Sequence, residues 1–244
     1  AGQRRPRRQP ARLTRPVRVE VLATPELAAY RAAQHLAEAL RAAIRERDRA
    51  CLAVSGGSSP VPMFRALARQ DLDWSAVHVF QVDERVAPRG APDRNLTAIE
   101  AELVHAGPLP AERLHAMPVE DADLGAGADA YARLLAGLAG TPVTLDAVHL
   151  GLGGDGHAAS LFPGDPALAV TDRPVAVTGV HAAFRRLTLT YPVLDAARVV
   201  VWFVVGAGKR AMVKRLAAAD ASIPAGRVAG ERAVLVNDDA AYGL

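Results

Sequence analysis

"HLGLGGDGHAASLFPG", residues 149–164, admits two readings, and the choice between them decides the fold. Gly151, Gly153 and Gly156 satisfy G-x-G-x-x-G behind the apolar run "LDAVHL". Asp172 even stands where a ribose-binding carboxylate would be expected, about 20 residues on. A dinucleotide fingerprint also requires its glycines to open a full helix within a βαβ unit of about 30 residues. Here Pro163 and Gly164 interrupt the chain soon after Gly156, leaving room for about two helical turns. The stretch therefore reads as a loop at the end of a strand, and NAD binding is not expected.

Outward from that loop the same grammar repeats. "CLAV" (51–54) leads into "SGGSSP", "VHVFQV" (77–82) into "DER", and "RVVVWFVVG" (198–206) into "GAGK". Short apolar runs bounded by turn residues are the signature of buried strands. Helical patterns lie between them. Thr24 and Pro25 read as N-cap and first residue of an Ala/Leu/Arg-rich helix reaching Arg47. Further helices are predicted around "MFRALARQ", through "LTAIEAELV", over 124–139 and over "KRAMVKRLAAA". "VRVEVL" (17–22) alternates as a strand, "PVAVTGV" and "RLTLTY" form a hairpin-like pair, and "AVLVN" closes the sheet before a short terminal helix. Alternating strands and helices predict an open, mostly parallel, twisted sheet with helices on both faces, a Rossmann-like three-layer α/β fold in a single domain. Ligands bind at the carboxyl ends of such strands, so the four polar loops are expected to converge on one edge.

The chain has 244 residues, half of them apolar, which suits one globular domain with an ample core. No apolar run approaches the roughly 20 residues of a membrane span, and no segment near the start reads as a signal peptide. Cys51, the single cysteine, begins an apolar run and reads as a buried thiol in a reducing compartment. A cytoplasmic location without a membrane partner is the expectation. Residues 1–18 hold seven arginines and no acid, so the net +3 less seven leaves −4 for residues 19–244. The basic balance belongs to a tail: residues 1–16 are predicted to be a disordered extension and 17–244 the domain. Nucleic acid is not an expected partner. Lys209 and Lys214 are the only lysines in an arginine-rich chain, which draws attention to them.

Read singly, each chemical signal stays open. The "SGGSSP" turn, with Ser55, Gly56, Gly57 and Ser58, is either a plain tight turn or a set of unhindered N–H groups that cradle an anion. It is not G-x-S-x-G, so a serine nucleophile is not expected. In "DER", Asp83 and Glu84 either pair with Arg85 internally or leave it free to grip a phosphate. His157, two residues after Asp155, is either a hydrogen-bonded loop residue or a base for water. His149 reads as a packed core residue, and His78 and His115 carry no signal. No motif suggests a metal site or a cofactor.

The order of the motifs is more specific than any of them. "AVSGGSSPVPMF", "VDERVAPRGAPDRNL", "LGLGGDGHAASLFPG", "RLTLT" and "VVGAGK" together resemble the 6-phosphogluconolactonase family, from Val17 to the "DDAA" near the end. The most confusable relative, glucosamine-6-phosphate deaminase, has a tyrosine after Asp-Glu and a Phe-Asn-Glu-Pro segment after Gly-His. This chain has Arg85 and "AASLFPG" there, with no acid until Asp165.

The resemblance implies hydrolysis of 6-phosphoglucono-1,5-lactone to 6-phosphogluconate, without cofactor or metal, by a monomer or weak homodimer. It implies His157 as the base and Asp155 as the residue orienting the loop or the substrate. The substrate and its phosphate would draw on Ser55, Gly56, Gly57, Ser58, Asp83, Arg85, Asn95, Arg186 and Lys209. The chain departs from the family pattern at Ser59 and Ala158, each in place of a threonine, and at Arg94, where a serine usually precedes Asn95. Arg94 and Ala158 bear on the details of the sugar-hydroxyl contacts, not on the reaction class.

Overall fold

The chain enters as strand β1 (Arg18–Leu22) and turns at Thr24, whose hydroxyl accepts from Leu27 N at 3.2 Å and caps helix α1 (Pro25–Arg47). The computed structural model describes residues 17–228 and 233–243, so the basic tail expected over 1–16 lies outside the described residues. Strand β2 (Ala50–Val54), helix α2 (Val61–Ala68) and strands β3 (Val77–Gln81) and β4 (Asp83–Arg85) follow. Next come helix α3 (Asn95–Ile99), strand β5 (Leu114–His115), helix α4 (Leu124–Ala139) and strand β6 (Ala147–Leu150). The chain ends through β7 (Val175–Val177), β8 (Arg186–Leu189), α5 (Tyr191–Ala196), β9 (Val200–Val204), α6 (Arg210–Ala217), β10 (Ala233–Asp238) and α7 (Asp239–Tyr242).

Seven strands form one parallel sheet in the order β1-β10-β9-β6-β2-β3-β5. Its central strands are buried on both faces, which is why they read as unbroken apolar runs. Alternation along β9 sends Val201 and Phe203 to a core beneath α1 and α2, with Leu36, Phe64 and Leu67. Val200, Trp202 and Val204 face the opposite core, beneath α4 and α6, with Tyr131, Leu135 and Val213. The single α/β domain therefore has three layers. Connections leave β2 toward β3 on one side, while β6 leads toward β9 and β10 on the other. Between β2 and β6 the order reverses, and a crevice opens there at the carboxyl ends.

Several elements differ from the sequence expectation. The hairpin of β7 and β8 is antiparallel as expected, yet it stands apart from the main sheet and pairs with β4 in a second, three-stranded sheet. "DER" is therefore a strand and not only a strand end. "AVLVN" lies between β1 and β9, which leaves β1 at the edge. The helix expected through "LTAIEAELV" continues from α3 as a π-helical stretch, Glu100–His105. Strand β5 was not expected. It is two residues long and sets His115 against His78, whose Nδ1 lies 2.9 Å from His115 Nε2.

Candidate active site

The four polar loops converge on the crevice at the β2–β6 switch point, a cavity of about 360 Å³. Ser55 ties the two central loops together: its N–H and its hydroxyl both donate to His149 O, at 3.2 and 3.4 Å. Behind it Gly56, Gly57 and Ser58 line the cavity. Gly56 must be a glycine, because a Cβ there would lie 2.5 Å from Asn95 Cβ. Asn95 also lines the cavity, and its amide donates to Asp83 O at 2.9 Å.

The loop after β6 presents His157. Asp155 Oδ1 accepts from His157 N at 3.1 Å and from His157 Nδ1 at 2.6 Å. With Nδ1 as the donor, Nε2 keeps its lone pair, the arrangement a general base requires. Burial pushes the Asp155 carboxyl upward, but the hydrogen bonds from the His157 backbone and ring, with the ring's field, outweigh it and hold the group below the usual range. Gly153 lies under the imidazole, and a Cβ there would collide with the ring. Of the glycines in that loop, Gly153 is the one that makes room for the histidine ring.

Cationic groups surround the same crevice. Along β4, alternation puts Asp83 and Arg85 on one face, and both line the cavity. Arg85 Nη1 donates to Asp93 O at 2.7 Å, while its buried Nε has no partner among protein atoms. Arg186, on β8 opposite Arg85, is 6% exposed and also keeps an unpaired Nε. Burial lowers its pKa, against the field of Asp83. Lys209 Nζ donates to Leu152 O at 2.7 Å from the turn after β9. Asp83 is buried among these groups, receives the Ser160 hydroxyl at 2.5 Å, and has its pKa raised by desolvation. Of the residues assigned to the site from the resemblance, ten line the cavity: Ser55, Gly56, Gly57, Ser58, Asp83, Arg85, Asn95, His157, Arg186 and Lys209. Asp155 stands behind His157.

Two departures from the family pattern turn out to be internal. Arg94 is 1% exposed and does not line the cavity. Its Nε lies 3.0 Å from Glu84 Oε2, and its Nη1 reaches Glu120 Oε1 at 2.5 Å and Ala87 O at 2.7 Å. Ala158 is fully buried and likewise outside the lining. Neither side chain forms part of the cavity wall where the sugar-hydroxyl contacts were in question.

Glu84 is the residue that sequence reading undervalued. Its carboxylate is fully buried and accepts from Gln81 Nε2, Arg85 N, Asn95 N and Leu96 N, all at 2.8–2.9 Å. It therefore fixes the backbone of two cavity residues. Its place between Asp83 and Arg85 on an alternating strand is the signal that it points inward. His149 is buried as expected, and its ring is driven down to a pKa of about 3 by desolvation.

The family described as glucosamine-6-phosphate isomerases/6-phosphogluconolactonase matches residues 23–236. The chain belongs to that family. A 6-phosphogluconolactonase from Synechocystis sp. is 39% identical over 196 residues, covering 79% of this chain and 81% of the relative. The structure of 6-phosphogluconolactonase from Trypanosoma brucei superposes with a TM-score of 0.80 at 26% identity, covering 93% of this chain and 97% of that one. A monomeric glucosamine-6-phosphate deaminase shares the fold, with a TM-score of 0.79 at 19% identity, covering 93% of this chain and all of that one. The fold is common to both activities, so the choice between them falls to the site. No described helix is long and apolar enough to cross a membrane, and no cluster of three or more His, Cys, Asp or Glu among the described residues could hold a metal.

Proposed function

We propose that this chain hydrolyses 6-phosphoglucono-1,5-lactone to 6-phosphogluconate. The observation that carries the reading is a carboxylate-oriented imidazole, His157 on Asp155 at 2.6 Å, facing a crevice with Arg85, Arg186 and Lys209 on its walls. Ester-like hydrolysis of an anionic sugar needs a base for water and a grip on the remote phosphate. The names of the relatives support the same reaction.

In this account a water attacks the lactone carbonyl carbon while His157 Nε2 takes its proton. The tetrahedral intermediate collapses by breaking the bond from that carbon to the ring oxygen. The imidazolium returns its proton to that oxygen, giving the open-chain acid, which ionises in solution. Asp155 holds the tautomer and offsets the charge of the imidazolium. The phosphate is held by Arg85, Arg186 and Lys209 with the N–H groups of the Ser55–Ser58 turn. Binding at that remote end fixes the carbonyl against His157.

Deamination of an amino-sugar phosphate is the second reading. It would need a carboxylate working with the histidine from the segment after Gly156. The first acid in that segment, Asp165, is engaged elsewhere, 2.7 Å from His181 Nε2. The discriminating experiment supplies freshly prepared lactone with 6-phosphogluconate dehydrogenase and NADP. Acceleration of NADPH formation above spontaneous hydrolysis is expected. No acceleration, or release of ammonia from glucosamine 6-phosphate, overturns the proposal.

A further inference from the structure

A second histidine–carboxylate pair lies beside the crevice without lining it. His181 Nε2 and Asp165 Oδ2 are 2.7 Å apart, and His181 stacks on Phe162 with centroids 4.1 Å apart and planes at 16°. The same Phe162 ring touches His157, at 4.4 Å and 45°, and lies beneath the Arg186 guanidinium, whose Cζ is 5.0 Å from its centroid. One benzene ring thus contacts both the base and a cation of the crevice, and His181 is its stacked neighbour.

The pair also fastens a strained turn. His181 N donates to Phe184 O at 2.9 Å and Phe184 N returns to His181 O at 3.1 Å, closing the β7–β8 hairpin on two residues. Both are alanines in the left-handed region, Ala182 at φ 47 and Ala183 at φ 70, where Asn and Gly are the usual occupants. Strain of this kind persists where the surroundings over-determine it. Asp165 does so: it is 5% exposed and accepts from Ala167 N at 2.7 Å and Gly179 N at 2.9 Å as well as from His181. It clips the hairpin tip to the turn that follows Phe162.

We infer that His181 is a positioning residue for the reaction at His157, its ring seated by Asp165. It holds the Phe162 ring as a backing for the His157 imidazole and the Arg186 guanidinium. Neither residue lines the crevice, and the kinetic arm of the claim rests on the lactonase reading above. His181→Ala removes the stack, while Asp165 still accepts from Gly179 N. Lactone kcat is expected to fall about tenfold and KM to rise several-fold, since base and phosphate grip both lose their backing. His181→Phe keeps the stack and gives up only the carboxylate bond, so it should stay within about threefold of the unmodified enzyme on both constants.

A loss in His181→Phe equal to that in His181→Ala, or no loss in either, overturns the inference. An independent readout is the NMR shift of the His157 ring protons, which the current of the neighbouring Phe162 ring displaces. In the folded His181→Ala protein those signals should move toward random-coil positions, and in His181→Phe they should not. Unmoved His157 signals in His181→Ala would overturn the inference even if the protein hydrolysed no lactone, a failure that would count against the proposed function instead.

Discussion

Replacing Arg94 with methionine removes the cation paired with the buried Glu84 carboxylate among the described residues, and the structure sets the size of the effect. Arg94 and Glu84 are 1% and 0% exposed, and their contact is 3.0 Å. Breaking a buried pair from one side costs about 3–5 kcal/mol, because the remaining charge stays desolvated. Four N–H donors still hold Glu84, from Gln81, Arg85, Asn95 and Leu96, which brings the expectation to the lower end, about 3 kcal/mol. For a domain of this size each kcal/mol is worth about 2–4 °C, so Tm should drop by about 6–12 °C. Guanidinium denaturation at pH 7, read at constant m, measures the loss directly. Adding Glu84→Gln to Arg94→Met removes the orphaned charge, and the double variant should recover at least about 1 kcal/mol of the sum of the single losses. Because Glu84 holds Arg85 N and Asn95 N, KM for the lactone should rise more than kcat falls. An Arg94→Met loss below about 1 kcal/mol would refute the assignment of a buried, charge-balancing role.

Gly153→Ala should push the His157 ring off Asp155 and lower kcat about 10²-fold, with product binding nearly intact; kcat unchanged would mean the loop yields without moving the ring. His149, neutral in the fold down to a pKa of about 3, ties stability to pH. The unfolded chain takes up its proton near pH 6.5 and the folded one does not, so the contribution is complete above 6.5 and is lost as pH falls toward 3. Between pH 6.5 and 5 that amounts to about 2 kcal/mol, and His149→Leu should remove this part of the slope in denaturation midpoints. Equal slopes in the two proteins would show that the ring does not resist protonation. Arg85→Ala should raise KM with little change in kcat, and the reverse split would take phosphate binding away from Arg85.

The parallel sheet was legible because strands buried on both faces must be apolar throughout, as in "CLAV" and "VVVWFVV". Convergence of the loops then followed from the fold class alone. Strands β4 and β5 were not legible: β4 is three polar residues whose only strand-like feature is pairing with β8, about a hundred residues later in the chain, and β5 is two residues at an edge. Residues in one short motif, such as Asp155 and His157, announced their pairing by spacing. Arg94 with Glu84, and His181 with Asp165, did not, because their partners lie on different elements brought together by the fold. The sequence therefore left open whether Arg94 meets the sugar. Its neighbour Asn95 faces the cavity, but an arginine one residue earlier points into the opposite, buried side of the turn.

The most direct test of the account is lactone hydrolysis by His157→Ala, set beside its affinity for 6-phosphogluconate. A positioned base is worth about 10²–10⁴ in rate, so kcat should fall by at least 10²-fold while product affinity, carried by the cationic residues of the crevice, stays within about threefold. A variant that keeps kcat within about tenfold of the unmodified enzyme would contradict His157 as the base.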